Sequence, residues 1–376
     1  MAYSDLKKLK KEVNIEISKE SVKYLVVGGD VFALSILDFL LKSKDCDNVK
    51  ILTKELLTKE SIEFAGPGIL RGKENINYMK ETFDYAGIEE LEGVSLFYKD
   101  LKFKPFGGRS KSEKLLPGEE FFTSPRARFD SSSIFTFLND EEYLNKVNSL
   151  KFDFIPSKVF KEEDSWVVEC TNGTQISCEK IFWAESPWKF YELFSAKETL
   201  SNKFVEFVES TKTPCALHLK LEFDKRVTEK EETLLVPLSY THDWGHFICE
   251  FDKNEDENKS QIGRFLTFID VDETNEEDIS KKIRLLKRNL EKIFPHIKGI
   301  NTKEFIVLTD NTHSLKFDDS FAMESSECLK DVHFINSNAP FHYQESTNES
   351  GGDSDVALTH VSRGLKVLSQ IKSILS

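Results

Sequence analysis

Residues 24–41 read YLVVGGDVFALSILDFLL, and the reading of this stretch decides the fold. Tyr24–Val27 is a short, uninterrupted apolar run, which predicts a strand buried on both faces. Gly28 and Gly29 break it with a turn. From Val31 to Ser43 the apolar positions recur at helical spacing. Val49–Thr53 (VKILT) then predicts a second strand of parallel type, so that the whole is a βαβ unit. A glycine turn running into a helix is how a fold cradles a diphosphate, because backbone can approach the ligand and the helix N-terminus carries positive charge. Yet the third residue of the turn is Asp30, a carboxylate where phosphate would lie. Two unit charges ~4 Å apart at an effective dielectric near 20 repel by about 4 kcal/mol. A helix N-terminus returns only ~0.3–1 kcal/mol towards an anion. Aspartate is also a favoured N-cap, accepting from orphan amides of the first turn. On that reading the carboxylate takes the place that a phosphate would fill.

The rest of the chain is compatible with an ordinary globular protein. Its 376 residues suffice for one large or two medium domains, each with a full core. Phenylalanine outnumbers methionine 31 to 3, which predicts a core filled by rigid rings. A net charge of −14 argues against general affinity for nucleic acid or anionic membranes. The basic start MAYSDLKKLKKE lacks the apolar region of a secretory signal, and residues 1–19 read as a solvated leader. No run approaches the ~18 uninterrupted apolar residues of a membrane span. Cys46, Cys170, Cys178, Cys215, Cys249 and Cys328 are scattered without a CxxC. Small buried thiols in a reducing cytoplasm are the expectation, with a metal site or disulfide as the alternative.

Working outward, helical patterning covers 73–86, and 96–125 reads as hairpins. Segment 150–183 reads as strand, acidic turn, strand, an Asn172-Gly173 hairpin turn, strand, and a last apolar strand IFWA. Further strands are expected at 215–223, 232–238, 246–252, 263–270, 303–309 and 332–335. Amphipathic helices are expected at 276–294 and 353–374, the charges of the former being solvated. The loop 252–261 reads as a flexible connection.

Three segments in this order carry a resemblance: YLVVGGDVFAL, then KVFKEEDSWVVECTNGTQISCEKIFWAESPWKFYELF at 158–194, then VHFINSN…GGDSDVALTHVSRGLKVL at 332–368. Together they resemble the flavoprotein superfamily of monoamine oxidases, protoporphyrinogen oxidases and phytoene desaturases. The resemblance implies an α/β fold: a Rossmann-like FAD-binding domain with a second α+β substrate domain built on an antiparallel sheet. The first domain would comprise 20–90, 150–200 and 330–376, and the second 91–149 and 201–329. It implies a cofactor-binding set of Gly28, Gly29, Asp30, Ala33, Thr53, Val159, Ala184, Ser337 and Gly364. A substrate pocket would draw on Tyr240, Trp244 and Phe247, whose competing reading is plain core.

Against that family pattern four positions depart. The G-x-G-x-x-G positions are Gly28, Asp30 and Ala33. The ribose-binding acid after the second strand is replaced by Thr53. No Gly-Gly-Arg follows directly; Gly66-Pro67-Gly68 with Arg71 and Gly107-Gly108-Arg109 are candidate displaced substitutes, with a hairpin turn the better account of Phe106–Arg109. Asn336-Ser337 stands where a Gly-acid pair would precede the last helix, and Asp353 reads as another cap. Arg126 and Arg128, within FFTSPRARFDSSS, read as a surface loop or as pocket arginines. The polar run 336–355, with His342 and Tyr343, reads as a mobile loop or an anion site. His242 and His246 have zinc spacing but lack the glutamate of HExxH. Two functions therefore stand: an FAD-dependent oxidoreductase acting on a C–N or C–C bond of a small organic substrate, with no catalytic side chain nameable, or a protein that keeps the fold, has lost FAD, and binds a protein partner as Rab GDP-dissociation inhibitors do. Neither implies nucleic acid or metal.

Overall fold

The protein is described here from a computed structural model, which covers residues 18–43, 48–57, 69–105, 122–210, 215–242, 245–309, 321–343 and 360–376. Within them, strands numbered in chain order form three sheets. The first contains β1 (Lys19–Val27), β2 (Val49–Leu52), β8 (Lys151–Phe152), β9 (Pro156–Glu162), β10 (Ser165–Cys170), β11 (Gln175–Trp183) and β17 (Val332–Phe334). Its order is β8-β2-β1-β11-β10-β9, with β17 beside the C-terminal half of β11. β1 runs parallel to both β2 and β11, Val27 lying opposite Leu52 on one side and Trp183 on the other. That burial explains the apolar run: Leu25, Val26 and Val27 are all 0% exposed. β1 starts at Lys19, so its first residue lies inside the expected leader, extended by pairing with Gln175 of β11.

Helix α1 (Val31–Lys42) packs on one face of this sheet together with α7 (His360–Leu375), while Trp183, Phe190 and Phe204 fill the opposite face. Hairpin β10–β11 turns at Asn172-Gly173 as expected. Gly173 takes φ 87°, and the Asn172 Oδ1 accepts from the Thr174 amide at 3.1 Å. The separately expected IFWA strand is the end of β11, because one continuous strand spans β1's full length.

The second sheet holds β5 (Leu96–Lys99), β6 (Lys102–Pro105), β12 (Cys215–Phe223), β13 (Leu234–Pro237), β14 (His246–Phe251), β15 (Gln261–Ile269) and β16 (Thr302–Thr309). Its order is β16-β12-β15-β14-β13-β5-β6. α6 (Glu276–Ile293) covers one face through Ile283, Leu286 and Leu290, and Asn275 caps it by accepting from the Asp278 amide. A third sheet, β3 (Ile69–Arg71), β7 (Arg126–Arg128) and β4 (Glu89–Leu91), has β7 at its centre. Arg126 and Arg128 thus sit in a strand and not a surface loop, with Arg126 only 1% exposed. Within the 252–261 connection, Arg226 Nη1 donates to the Glu255 carbonyl, and Asn254 Nδ2 to those of Lys259 and Ser260. Cys170, Cys178, Cys215 and Cys249 are buried free thiols.

Candidate functional site

The βαβ turn places Gly28, Gly29 and Asp30 between the end of β1 and the start of α1. Gly28 has φ 115°, a conformation that needs glycine, and a Cβ there would stand 3.0 Å from that of Ala184. Asp30 is the N-cap of α1. Its Oδ1 accepts from the amides of Phe32 (3.1 Å) and Ala33 (2.8 Å). These two amides of the helix mouth are thereby bonded within the chain. Burial lifts the Asp30 carboxyl from 3.8 to about 7; the Ala33 amide pulls it down and the nearby Glu185 carboxylate pushes it up. Glu185 itself pairs with Lys189 at 2.6 Å.

The chain after β2 lies over this turn. A Cβ on Gly29 would fall 2.0 Å from the Glu55 carbonyl oxygen and 2.8 Å from Thr53 Oγ1. The Leu57 amide donates to the Gly29 carbonyl at 2.7 Å. Thr53 donates its hydroxyl to the Glu55 carbonyl at 2.7 Å, so its proton is engaged locally and not held out for a ribose.

The beginnings of α1 and α7 meet ring against backbone. A Cβ on Gly364 would lie 2.2 Å from the Phe32 Cζ, and Phe32 is 6% exposed. At the end of β17, Asn336 Nδ2 donates to the carbonyls of Ala184 and Glu185, tying the two strand exits together. Ser337 is buried at 2% exposure. The expected set divides accordingly. Gly28, Gly29, Asp30, Ala33, Thr53 and Ala184 gather at the turn, Gly364 meets it through Phe32, and Val159 lies in the core of the opposite face against Val168.

Of the expected pocket aromatics, Phe247 is fully buried in the core under α6, whereas Tyr240 is 45% exposed, beside Tyr98 and Lys292. Trp244 lies outside the described residues, as do Cys46, Gly66-Pro67-Gly68, Gly107-Gly108-Arg109 and Asp353. Among the described residues no group of three or more His, Cys, Asp or Glu could hold a metal ion, and no helix is long and apolar enough to cross a membrane.

One cluster was not foreseen. Arg71 of β3 and Arg126 of β7 converge on Glu250 of β14, all three buried. Arg71 Nη2 approaches Glu250 Oε1 at 3.2 Å and its Nη1 donates to Ser95 Oγ at 3.3 Å. Thr233 Oγ1 donates to the same carboxylate oxygen, and Arg126 donates to Thr233 Oγ1 at 3.3 Å and to the Glu92 carbonyl at 2.7 Å. Burial lowers the Arg71 pKa from 12.5 to about 10, with Glu250 opposing. The available signal was a glutamate inside the apolar strand HFICEF, since a buried charge requires a partner.

Compared by sequence, the chain matches no protein-family model and no curated protein. Compared by structure, it is similar over nearly its whole length to flavin amine oxidases. Putrescine oxidase bound to putrescine superposes with a TM-score of 0.54 at 10% identity, covering 95% of this chain and 99% of that one. Cyclohexylamine oxidase from Brevibacterium oxydans gives 0.56 at 8% identity, covering 94% and 98%. An oxidoreductase from Methanosarcina mazei gives 0.53 at 11%, covering 93% and 100%. The chain therefore shares the fold of these oxidases, a mixed α/β architecture of the class that the three resembling segments implied. Identity this low establishes fold and leaves function to the site.

Proposed function

We propose that this protein keeps the flavin-oxidase fold but has given up the dinucleotide, and works as a binding or scaffold module for a protein partner. The observation that carries the reading is the Asp30 carboxylate on the Phe32 and Ala33 amides. Two amides that would meet a diphosphate already bond to a carboxyl group supplied by the chain, and a second carboxylate, Glu185, stands near it. Three further groups agree. The chain segment after β2 lies on Gly29, the Thr53 hydroxyl is engaged by Glu55, and a phenyl ring fills the space at Gly364. Residues so arranged do not fit FAD.

A second reading is favoured by a different observation: the frame is shared end to end with oxidases, including the βαβ unit. On that reading the protein is an FAD-dependent oxidoreductase acting on a C–N or C–C bond of a small organic substrate. Purified protein separates the two. The binding-module reading expects a colourless preparation that fails to retain added FAD after desalting. Flavin absorbance bands that co-elute with the protein in stoichiometric amount would overturn it.

A further inference from the structure

Helix α6 carries its basic residues in two sets. Lys282 and Lys287 flank the buried stripe and are paired within the chain, with Glu273 and Glu304. Arg284, Arg288 and Lys292 recur every fourth residue on the opposite side and are exposed. Among the described residues none of these three is paired with a carboxylate. The spacing sets successive cations about 6 Å apart, in a row about 12 Å long. Glu291 lies beside the row, and Glu277 two turns before it. Lys292 Nζ stands over the Tyr240 ring at 5.2 Å, and Tyr98 meets that ring edge-on at 6.1 Å. Past the end of α6 a cavity of 640 Å³ opens between the chain after β12, the β14–β15 connection, and Phe294 with His296. Its two carboxylates are engaged by Arg226, which pairs with Glu229 at 2.7 Å and Glu257 at 3.0 Å. Its lysines, Lys225 and Lys230, have no carboxylate partner among the described residues. Lys230 Nζ lies over the Phe103 ring, which stacks on Phe294 and meets Tyr98, so aromatic contacts run from the row to the cavity.

We propose that this surface binds an extended acidic segment of a protein partner, with alternate carboxylates on Arg284, Arg288 and Lys292 and one end of the segment in the cavity. Three properties select that occupant. The first is sign: on a chain of net charge −14, a row of cations without carboxylate partners attracts an anion. The second is spacing. Alternate side chains of an extended chain lie on one side about 6.6 Å apart, close to the repeat of the row. The third is width. The row is one residue across with Glu291 beside it, so it matches a single chain. A bilayer or a duplex presents phosphates over a broad area, where they would meet the rest of an acidic molecule. The inference deepens the binding-module reading and rests on it for the existence of a protein partner.

The probe is a fluorescein-labelled peptide of alternating glutamate and threonine, about ten residues long. Fluorescence anisotropy with the full chain at low salt is expected to show saturable binding that weakens as salt rises. Arg284→Glu with Arg288→Glu should weaken it about tenfold or more, since each exposed ion pair is worth up to about fivefold. Arg284→Ala with Arg288→Ala, which keeps the helix propensity of α6, should act in the same direction. Lys146→Glu with Lys203→Glu, the same change of charge at exposed sites elsewhere, should leave binding nearly unchanged. Lys225→Ala with Lys230→Ala should weaken the long peptide but not one of about five residues, which spans the row alone. No binding at low salt overturns the proposal and leaves the row a solvated face. Binding that survives both arginine double variants, or that the Lys146 and Lys203 control loses equally, overturns it too. So does tighter binding of phosphatidylserine vesicles or of a DNA duplex through the same arginines. A long peptide indifferent to Lys225→Ala with Lys230→Ala overturns the placement of its end. Retention of FAD by the same preparation would overturn the proposed function while leaving the peptide result intact, so the two can fail separately.

Discussion

Asp30 does two jobs at once, and they pull its chemistry in opposite directions. As a cap it accepts from two amides, which favours the carboxylate; as a half-buried group near Glu185 it is driven towards the neutral acid. The outcome is a folded-state pKa near 7 against an ordinary value of 3.8. Between those values the folded chain holds a proton that the unfolded chain releases, so stability falls as pH rises through that window and the penalty is complete above it. Asp30→Asn keeps an oxygen acceptor for the cap but cannot ionise. Urea midpoints measured across the window should slope less for Asp30→Asn than for the wild type; identical slopes would assign the titration to another group. The two roles were both readable beforehand. Charge and capping preference are properties of the residue and its position after a turn, and neither needs a distant neighbour.

For whole elements the decisive contact joins the first and last helices. Gly364 leaves room for the Phe32 ring, and Phe32 cannot move aside because it is itself buried in the core shared by α1 and α7. Gly364→Ala should therefore cost about 1–3 kcal/mol through overpacking. Phe32→Leu in the same chain should recover part of that loss, and the coupling is read from a double-mutant cycle in chemical denaturation. Additive effects would mean that the ring and the glycine do not meet. The helices were legible as helices from their apolar spacing. What each holds against the other was not: Gly364 looked like a flavin-facing position, and nothing local to α7 announces that a phenylalanine hundreds of residues earlier takes up the space.

Across the molecule as a whole, Arg71, Arg126 and Glu250 bind the small third sheet to the second. The cluster is buried, so removing Glu250 leaves the Arg71 guanidinium without its paired carboxylate, while Arg126 keeps the more distant Glu232 and Glu231. Glu250→Ala should destabilise the protein by about 3–5 kcal/mol. Glu250→Gln retains an acceptor for Thr233 and Arg71 and should cost less. Equal and small losses for both variants, measured by urea unfolding, would show that the cluster is hydrated and contributes little. A cluster of this kind also accounts for the burial of Arg126, which a segment rich in serine and arginine does not suggest.

The sequence by itself determined the βαβ unit at 24–53, the Asn172-Gly173 hairpin, the strands of the second sheet and the long amphipathic helix over α6. In each the information is local: a period of hydrophobicity, a turn dipeptide or a cap. Tertiary structure alone decided that the Phe32 ring fills the notch at Gly364, that the chain after β2 lies on Gly29, and that Glu250 finds Arg71, 179 positions away. Apolar periodicity tells a chain which faces to bury but not which distant side chain will meet them, because those meetings are set by how the elements pack and not by any local pattern.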